Sequence, residues 1–251
     1  MHRFFLLDTP LQPGRTVDLA PIAHQLRNVL RLNVGVRIVL LDGNGAAYGA
    51  EITALERQSA SGRVLDVHAA SGEPTVHLTL YQSSLKADKF EWVLQKGTEL
   101  GVSCFVPVIS ERSIVRPAAA LLKKYVRWRH IVQEAAEQSG RTRLPQLHAP
   151  LTWGEAVHHA QNARYMPWEA YAAGDEVPAL GQAVASTPTQ SDGSLAVNVL
   201  LGPEGGIAPD EAAMATRQGW QPVSLGPRIL RAETAALAAT TIVMERLQQL
   251  G

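Results

Sequence analysis

Apolar residues fall along this chain in two rhythms. Up to about residue 75 they form short runs broken by tight turns. Arg3–Leu7, Val36–Leu41, Tyr48–Ala54 and Arg63–His68 read as strands. Asp42-Gly43-Asn44-Gly45 separates the second run from the third and marks a hairpin, because Gly and Asn accept positive φ at little cost. Leu19–Leu32 reads as a helix: Asp18 can cap it, Pro21 sits in its first turn, and Ile22, Leu26, Val29 and Leu30 share one face. Short strands with tight turns in so few residues suggest a small barrel. Ala69–Pro74, small and polar with a proline, reads as a linker.

Beyond it, strand-like runs alternate with helical spacing. Thr75–Tyr81 is a predicted strand. Asp88–Leu100 is a predicted helix with Phe90, Val93, Leu94, Gly97 and Leu100 on one face and Gly101 just past its end. Cys104–Ile109 is the next strand. Pro117–Ser139 predicts a long helix with Leu121, Leu122, Tyr125, Trp128, Val132 and Ala135 as its apolar stripe, closed by Gly140. Thr152–Glu155 matches a capping box. Ala163–Trp168 is a strand ending at Glu169, and Ser186–Ser194 a polar surface loop. Such alternation implies an α/β domain with a parallel sheet and crossover helices.

The most informative stretch is Ala196–Leu201 followed by Gly202-Pro203-Glu204-Gly205-Gly206: a buried strand running into a glycine loop. Pro209-Asp210-Glu211 then opens a helix that ends at Gly219. A short strand at Pro222–Leu225 leads to a second loop, Gly226–Thr234, and a final helix. Two glycine loops one strand–helix unit apart, at carboxyl ends of strands, stand where α/β sheets bind ligands. Neither is a phosphate cradle. G-x-x-x-x-G-K-[ST] and G-x-G-x-x-G are both absent, and Glu204 would repel a phosphate. An acid there suits a cationic or hydroxyl-bearing ligand. Each loop can also be read as a turn or a helix start.

Composition narrows the chemistry. One cysteine, Cys104, rules out an intramolecular disulfide and a cysteine-based zinc cluster. H-E-x-x-H and G-x-S-x-G are missing, so neither a metal site nor a hydrolase elbow has support. No apolar run approaches the length needed to cross a bilayer, and the N-terminus lacks signal-peptide features; the expected compartment is the cytoplasm. Net charge is zero, yet residues 86–143 carry 11 basic and 6 acidic side chains, whereas residues 144–251 carry 5 and 10. The central block, with Lys123, Lys124, Arg127, Arg129, Arg141 and Arg143, is a candidate surface for an anionic partner or a solvated helix face. His24, Arg27 and Arg31 lie largely off the apolar stripe of their predicted helix and invite the same two readings.

Several motifs together resemble a known class. Leu201–Gly206 and Leu225–Ala235 look like the two loops of the SPOUT superfamily of knotted S-adenosylmethionine methyltransferases. His24–Arg31, Lys86–Gly101 and Glu134–Arg141 narrow this to similarity with the bacterial enzymes that methylate N3 of a uridine in 16S ribosomal RNA. Ala232 departs from the pattern, standing where that family usually has threonine. The resemblance implies a PUA-like RNA-binding barrel over residues 1–70 and a SPOUT methyltransferase domain over residues 75–251 whose parallel sheet carries a deep trefoil knot. It implies a homodimer with the cofactor in the knot. It places Leu201, Gly202, Pro203, Glu204, Gly205 and Gly206 on one side of the cofactor and Leu225, Gly226, Ile229, Leu230 and Thr234 on the other. S-adenosylmethionine carries an activated methyl group, so no metal is required. Uridine N3 must lose its proton, so a base or anion-stabilising groups are expected. Glu169, Glu204 and Glu233 are candidate bases, and Arg231 a candidate ligand for a phosphate or a uracil oxygen. The basic residues named above are expected to meet RNA of the small ribosomal subunit. The rival reading is a non-catalytic RNA-binding ribosome assembly factor, which needs no ligand crevice.

Overall fold

The computed structural model describes residues 1–57, 59–69, 72–169, 177–188 and 194–250. Parts of the expected linker (70–71) and of the expected polar loop (189–193) lie outside them. The chain divides into two compact units: Met1–Glu73 with Ala136–Leu144, and Pro74–Ala135 with Pro145–Gly251.

In the first unit, β1 (Arg3–Phe5), β2 (Thr16–Asp18), β3 (Arg37–Leu41), β4 (Ala46–Leu55) and β5 (Ala60–Ala69) form one sheet ordered β1-β3-β4-β5-β2. Only β1 and β3 run parallel; the other neighbours are antiparallel. The β3–β4 turn falls on the hairpin signal, with Asp42 Oδ1 accepting the Asn44 N–H at 2.8 Å and Gly43 at φ +77°. Alternate side chains Ile38, Leu40, Ala50, Ile52 and Val64 point into one core. Phe4 from one end of the strand order and Val17 from the other join the same core, so the sheet curls around it.

Leu19–Leu32 is not one α-helix. Ala20–Ile22 forms a 3-10 turn and Gln25–Val29 a wide π turn, closed by the Leu30 N–H on the Gln25 carbonyl at 3.0 Å. The wider turn carries Val29 off the apolar face, leaving it 63% exposed, while Ile22 and Leu26 stay buried. Residues 136–144 complete this unit. Ala136 packs with Phe5 and Leu41, and Glu137 Oε1 accepts the Phe5 N–H at 3.0 Å. Glu73 gathers the N–H groups of Thr142 (2.6 Å) and Arg143 (3.0 Å) and the Arg141 guanidinium (3.1 Å). Burial opposes the charge on Glu73, but the Arg143 N–H and the Arg141 cation outweigh it and hold the carboxyl below its usual range.

The second unit is built on β6 (Val76–Ser83), β7 (Cys104–Ile109), β8 (Gln146–Leu147), β9 (Leu151–Thr152), β10 (Ala163–Pro167), β11 (Leu195–Leu201) and β12 (Gln221–Val223). Their order is β12-β10-β11-β6-β7-β8, with β9 also beside β7, and every pair is parallel. The helices are α1 (Lys89–Glu99), α2 (Ala118–Leu122), α3 (Tyr125–Ser139), α4 (Trp153–His159), α5 (Leu180–Ala185), α6 (Pro209–Arg217) and α7 (Ala232–Arg246). The central strands β6 and β11 are largely buried on both faces, as expected of a covered parallel sheet. On one face α4 and α6 bury Trp153, Val157 and Ala212 against Tyr81, Val106 and Leu200. α7 lies on β6 and β11 with α1 and α5 beside it.

The long helix expected over Pro117–Ser139 is two helices. Between them the Lys124 N–H closes a tight turn on the Leu121 carbonyl at 2.9 Å, and Leu122 turns outward to 51% exposure. Trp128 keeps its place on the stripe, stacked 4.4 Å from Phe90. The capping box at α4 is present: Glu155 Oε2 accepts the Thr152 N–H at 2.8 Å, and Thr152 Oγ1 accepts the Glu155 N–H at 3.3 Å.

Candidate functional site

In a parallel sheet the loops after successive strands leave at one edge. Here those after β10 and β12 enclose a cleft of about 160 Å³. Pro167, Trp168 and Glu169 wall it on one side, and Leu225, Gly226, Ile229 and Leu230 on the other. Gly226 has φ +109°, and a Cβ built on it would meet nothing within 4 Å, so its backbone faces open space. Ile229 is 85% exposed, an apolar side chain with no protein over it.

Leu201–Gly206 does not wall the cleft but stands against it. Trp168 Nε1 donates to the Ile207 carbonyl at 3.3 Å. The Glu169 carboxylate presses on Gly206 so closely that an added Cβ would overlap it. The loop itself is tightly held. A Cβ on Gly202 would come within 2.8 Å of Ile207 Cγ1 and 3.2 Å of the Gly206 carbonyl carbon. Gln82 Nε2 donates to the Gly202 carbonyl at 3.1 Å, and Arg112 Nη1 to the Gly205 carbonyl at 3.0 Å.

The three candidate acids have different surroundings. Glu204 accepts the Lys86 N–H at 3.0 Å and lies 3.7 Å from Lys89 Nζ. Glu233 lies 3.2 Å from the same Nζ, its side chain only 14% exposed. One cation in the first turn of α1 thus joins an acid from each glycine loop. Glu169 is exposed at the cleft wall and makes no ion pair among the described residues. Arg231 is exposed at the N-cap of α7, and Thr234 is exposed one turn on; neither walls the cleft.

The cleft fits an adenosine-bearing sulfonium. Trp168, Leu225 and Leu230 offer apolar surface to a nucleobase. Gln82 Oε1, Ser83 Oγ and Glu233 Oε2 are buried without hydrogen-bond partners among the described residues, which leaves acceptors for hydroxyl or amino groups beside the two loops. The acids suit a positive charge.

His24, Arg27, Arg31, Lys123, Arg129 and Arg143 are exposed, and Lys124 is half-buried. Arg127 is exposed but its guanidinium grips Glu91 at 2.9 and 2.8 Å and holds that carboxyl below its usual range. Arg141 corrects the expectation of a surface cation: it is 7% exposed and paired with Glu73 inside the first unit. The sequence reading missed Trp168, Gln82, Lys89 and Arg112. Lys89 lies in the Lys86–Gly101 motif, but nothing in the sequence places it between two acids. Arg112 carries no motif signal.

A family described as an RNA methyltransferase domain matches residues 72–244, and one described as an RNA methyltransferase PUA domain matches residues 21–65. The chain is 36% identical to ribosomal RNA small subunit methyltransferase E of Synechocystis sp., over 88% of this chain and 71% of that protein. It is 31% identical to the Bacillus subtilis protein of the same name, over 97% and 96%. The crystal structure of that methyltransferase from Neisseria gonorrhoeae, bound to S-adenosyl methionine, superposes with a TM-score of 0.84 at 37% identity, covering 98% of this chain and 97% of that one. Fold, site and relatives agree that the chain belongs to the RNA methyltransferase family that includes ribosomal RNA small subunit methyltransferase E.

Proposed function

We propose that this chain is an S-adenosylmethionine-dependent methyltransferase that modifies N3 of one uridine in 16S ribosomal RNA. The observation that carries the reading is the cleft beyond β10 and β12, backed by the Leu201–Gly206 loop, with Glu169, which makes no ion pair among the described residues, at its wall. The cofactor, when bound, supplies an electrophilic methyl group on sulfur. Gly226, Ile229 and Leu230 hold it from one side and Trp168 and Glu169 from the other, with Leu201–Gly206 backing that second wall and Thr234 outside it. Glu169 takes the N3 proton. Glu204 and Glu233 are both turned onto Lys89, so they orient rather than abstract. Arg231 meets the phosphate next to the target base. His24, Arg27, Arg31, Lys123, Lys124, Arg129 and Arg143 meet RNA phosphates, Lys123, Lys124 and Arg129 from the second unit and the others from the first, while Arg127 keeps its guanidinium on Glu91.

The same reading makes the protein a cytoplasmic homodimer with a trefoil knot around the site. Exposed apolar side chains on the second unit, Trp92, Val126 and Ile229, are the kind of surface a second copy would cover. The decisive experiment offers the protein labelled cofactor and small ribosomal subunits lacking the modification, then maps the product. Label on N3 of a single uridine is expected; label on another base, or none, overturns the proposal. Glu169→Gln should slow turnover by about 100-fold with cofactor affinity held within about threefold, read by calorimetry.

A further inference from the structure

The loop after β7 is braced from every side. Ser110 and Ser113 hydroxyls bond at 2.9 Å, and Ser113 Oγ accepts the Ser110 N–H at 3.1 Å. Glu211 Oε1 accepts the Glu111 N–H at 2.8 Å. Ser84 Oγ donates to the Val115 carbonyl at 2.8 Å. From this frame Arg112 runs alongside Gly205, where a Cβ would come 3.1 Å from its own Cβ. Its guanidinium gives one N–H to the Gly205 carbonyl. A guanidinium has five donors, and the side chain of Arg112 makes no other hydrogen bond or ion pair among the described residues. Clamping a loop needs one donor and leaves four idle on an exposed residue.

The same nitrogen, Nη1, also lies near the cleft-wall acid Glu169. A Cβ placed on Gly206 would overlap Glu169 Oε1 and lie 3.9 Å from Arg112 Nη1. A carboxylate with no ion pair among the described residues and the Arg112 guanidinium therefore flank one glycine, with no side chain between them. We infer that Arg112 is a second catalytic residue, binding a uracil carbonyl oxygen while Glu169 removes the N3 proton. This rests on the function proposed above. The N–H bond breaks, its electron pair stays on uracil, and the charge spreads to O2 and O4, where the guanidinium meets it. N3 then forms its bond to the methyl carbon as the carbon–sulfur bond breaks and sulfur keeps that electron pair. The products are N3-methyluridine, a neutral thioether and protonated Glu169. A fixed cation aimed at charge that develops as the proton leaves is the efficient arrangement.

The test compares wild type, Arg112→Ala and Arg112→Lys on small subunits reconstituted from RNA transcribed with uridine or with 5-fluorouridine, whose N3 is more acidic. Single-turnover methyl transfer and cofactor affinity are measured. On uridine, Arg112→Ala should be slower by about 100-fold; on 5-fluorouridine it should recover to within about tenfold of wild type, with cofactor affinity changed by less than about threefold. Arg112→Lys should regain part of the rate. Equal loss on both RNAs with a parallel loss of cofactor affinity would mark Arg112 as a loop clamp and overturn the assignment; so would an unimpaired variant. A wild type that leaves N3 unmethylated overturns the proposed function, and this assignment with it.

Discussion

Lys89 is the residue whose environment says most about the site. It sits 3.7 Å from Glu204 and 3.2 Å from Glu233, so a single ammonium offsets part of the repulsion between two acids. The Lys89 side chain is 35% exposed, and water screens much of this attraction. Lys89→Ala should therefore cost on the order of 1 kcal/mol of stability, read by denaturant unfolding. Adding Glu233→Gln to that variant should return most of the loss, because the uncompensated charge is then gone. Strict additivity of the two substitutions would show that the ion pair is incidental. The sequence allowed three equal candidate bases; the structure separates them by what each faces. Glu169 has no ion pair among the described residues, whereas the other two acids share a cation.

Among the elements, those governed by neighbours in the chain match the sequence pattern best. The strand at Cys104–Ile109 has the expected bounds, and the hairpin after β3 turns on its Asp-Gly-Asn-Gly signal. The capping box of α4 forms both of its reciprocal bonds. Thr152→Ala should therefore lower stability by about 1 kcal/mol, shifting the melting temperature by roughly 2–4 °C without altering the cleft. An unchanged melting temperature would mean that the start of α4 is held by packing alone. The two misjudged helices failed for one reason. Periodicity marks an apolar face but is blind to a local change of pitch. The π turn at Gln25–Val29 and the break at Lys123–Lys124 each rotate a side chain, Val29 and Leu122, out of the stripe that the count assigned it.

At the scale of the molecule, residues far apart in the chain build each unit. The first unit takes residues 136–144 from beyond α1 and β7, tied by Glu73 to Arg141, Thr142 and Arg143. Because the folded carboxyl of Glu73 titrates below its unfolded counterpart, the unfolded chain binds the proton more readily. Its stabilisation is thus complete above the ordinary carboxylate range and is lost as pH falls through the depressed value. Glu73→Gln should be less stable than the parent near neutrality, and the gap should close on acidification; a gap independent of pH would remove Glu73 from the acid response. Alternating strand and helix, the glycine loops and their place after strands were all legible in the order of residues, since backbone sterics and side-chain periodicity act over a few neighbours. Folding in three dimensions alone decided that Lys89 stands between Glu204 and Glu233, that Arg112 lies over Gly205, and that Arg141 is buried against Glu73. Each of those contacts joins residues tens to more than a hundred positions apart, and a charge has no preferred distance along the chain at which to find its counterpart.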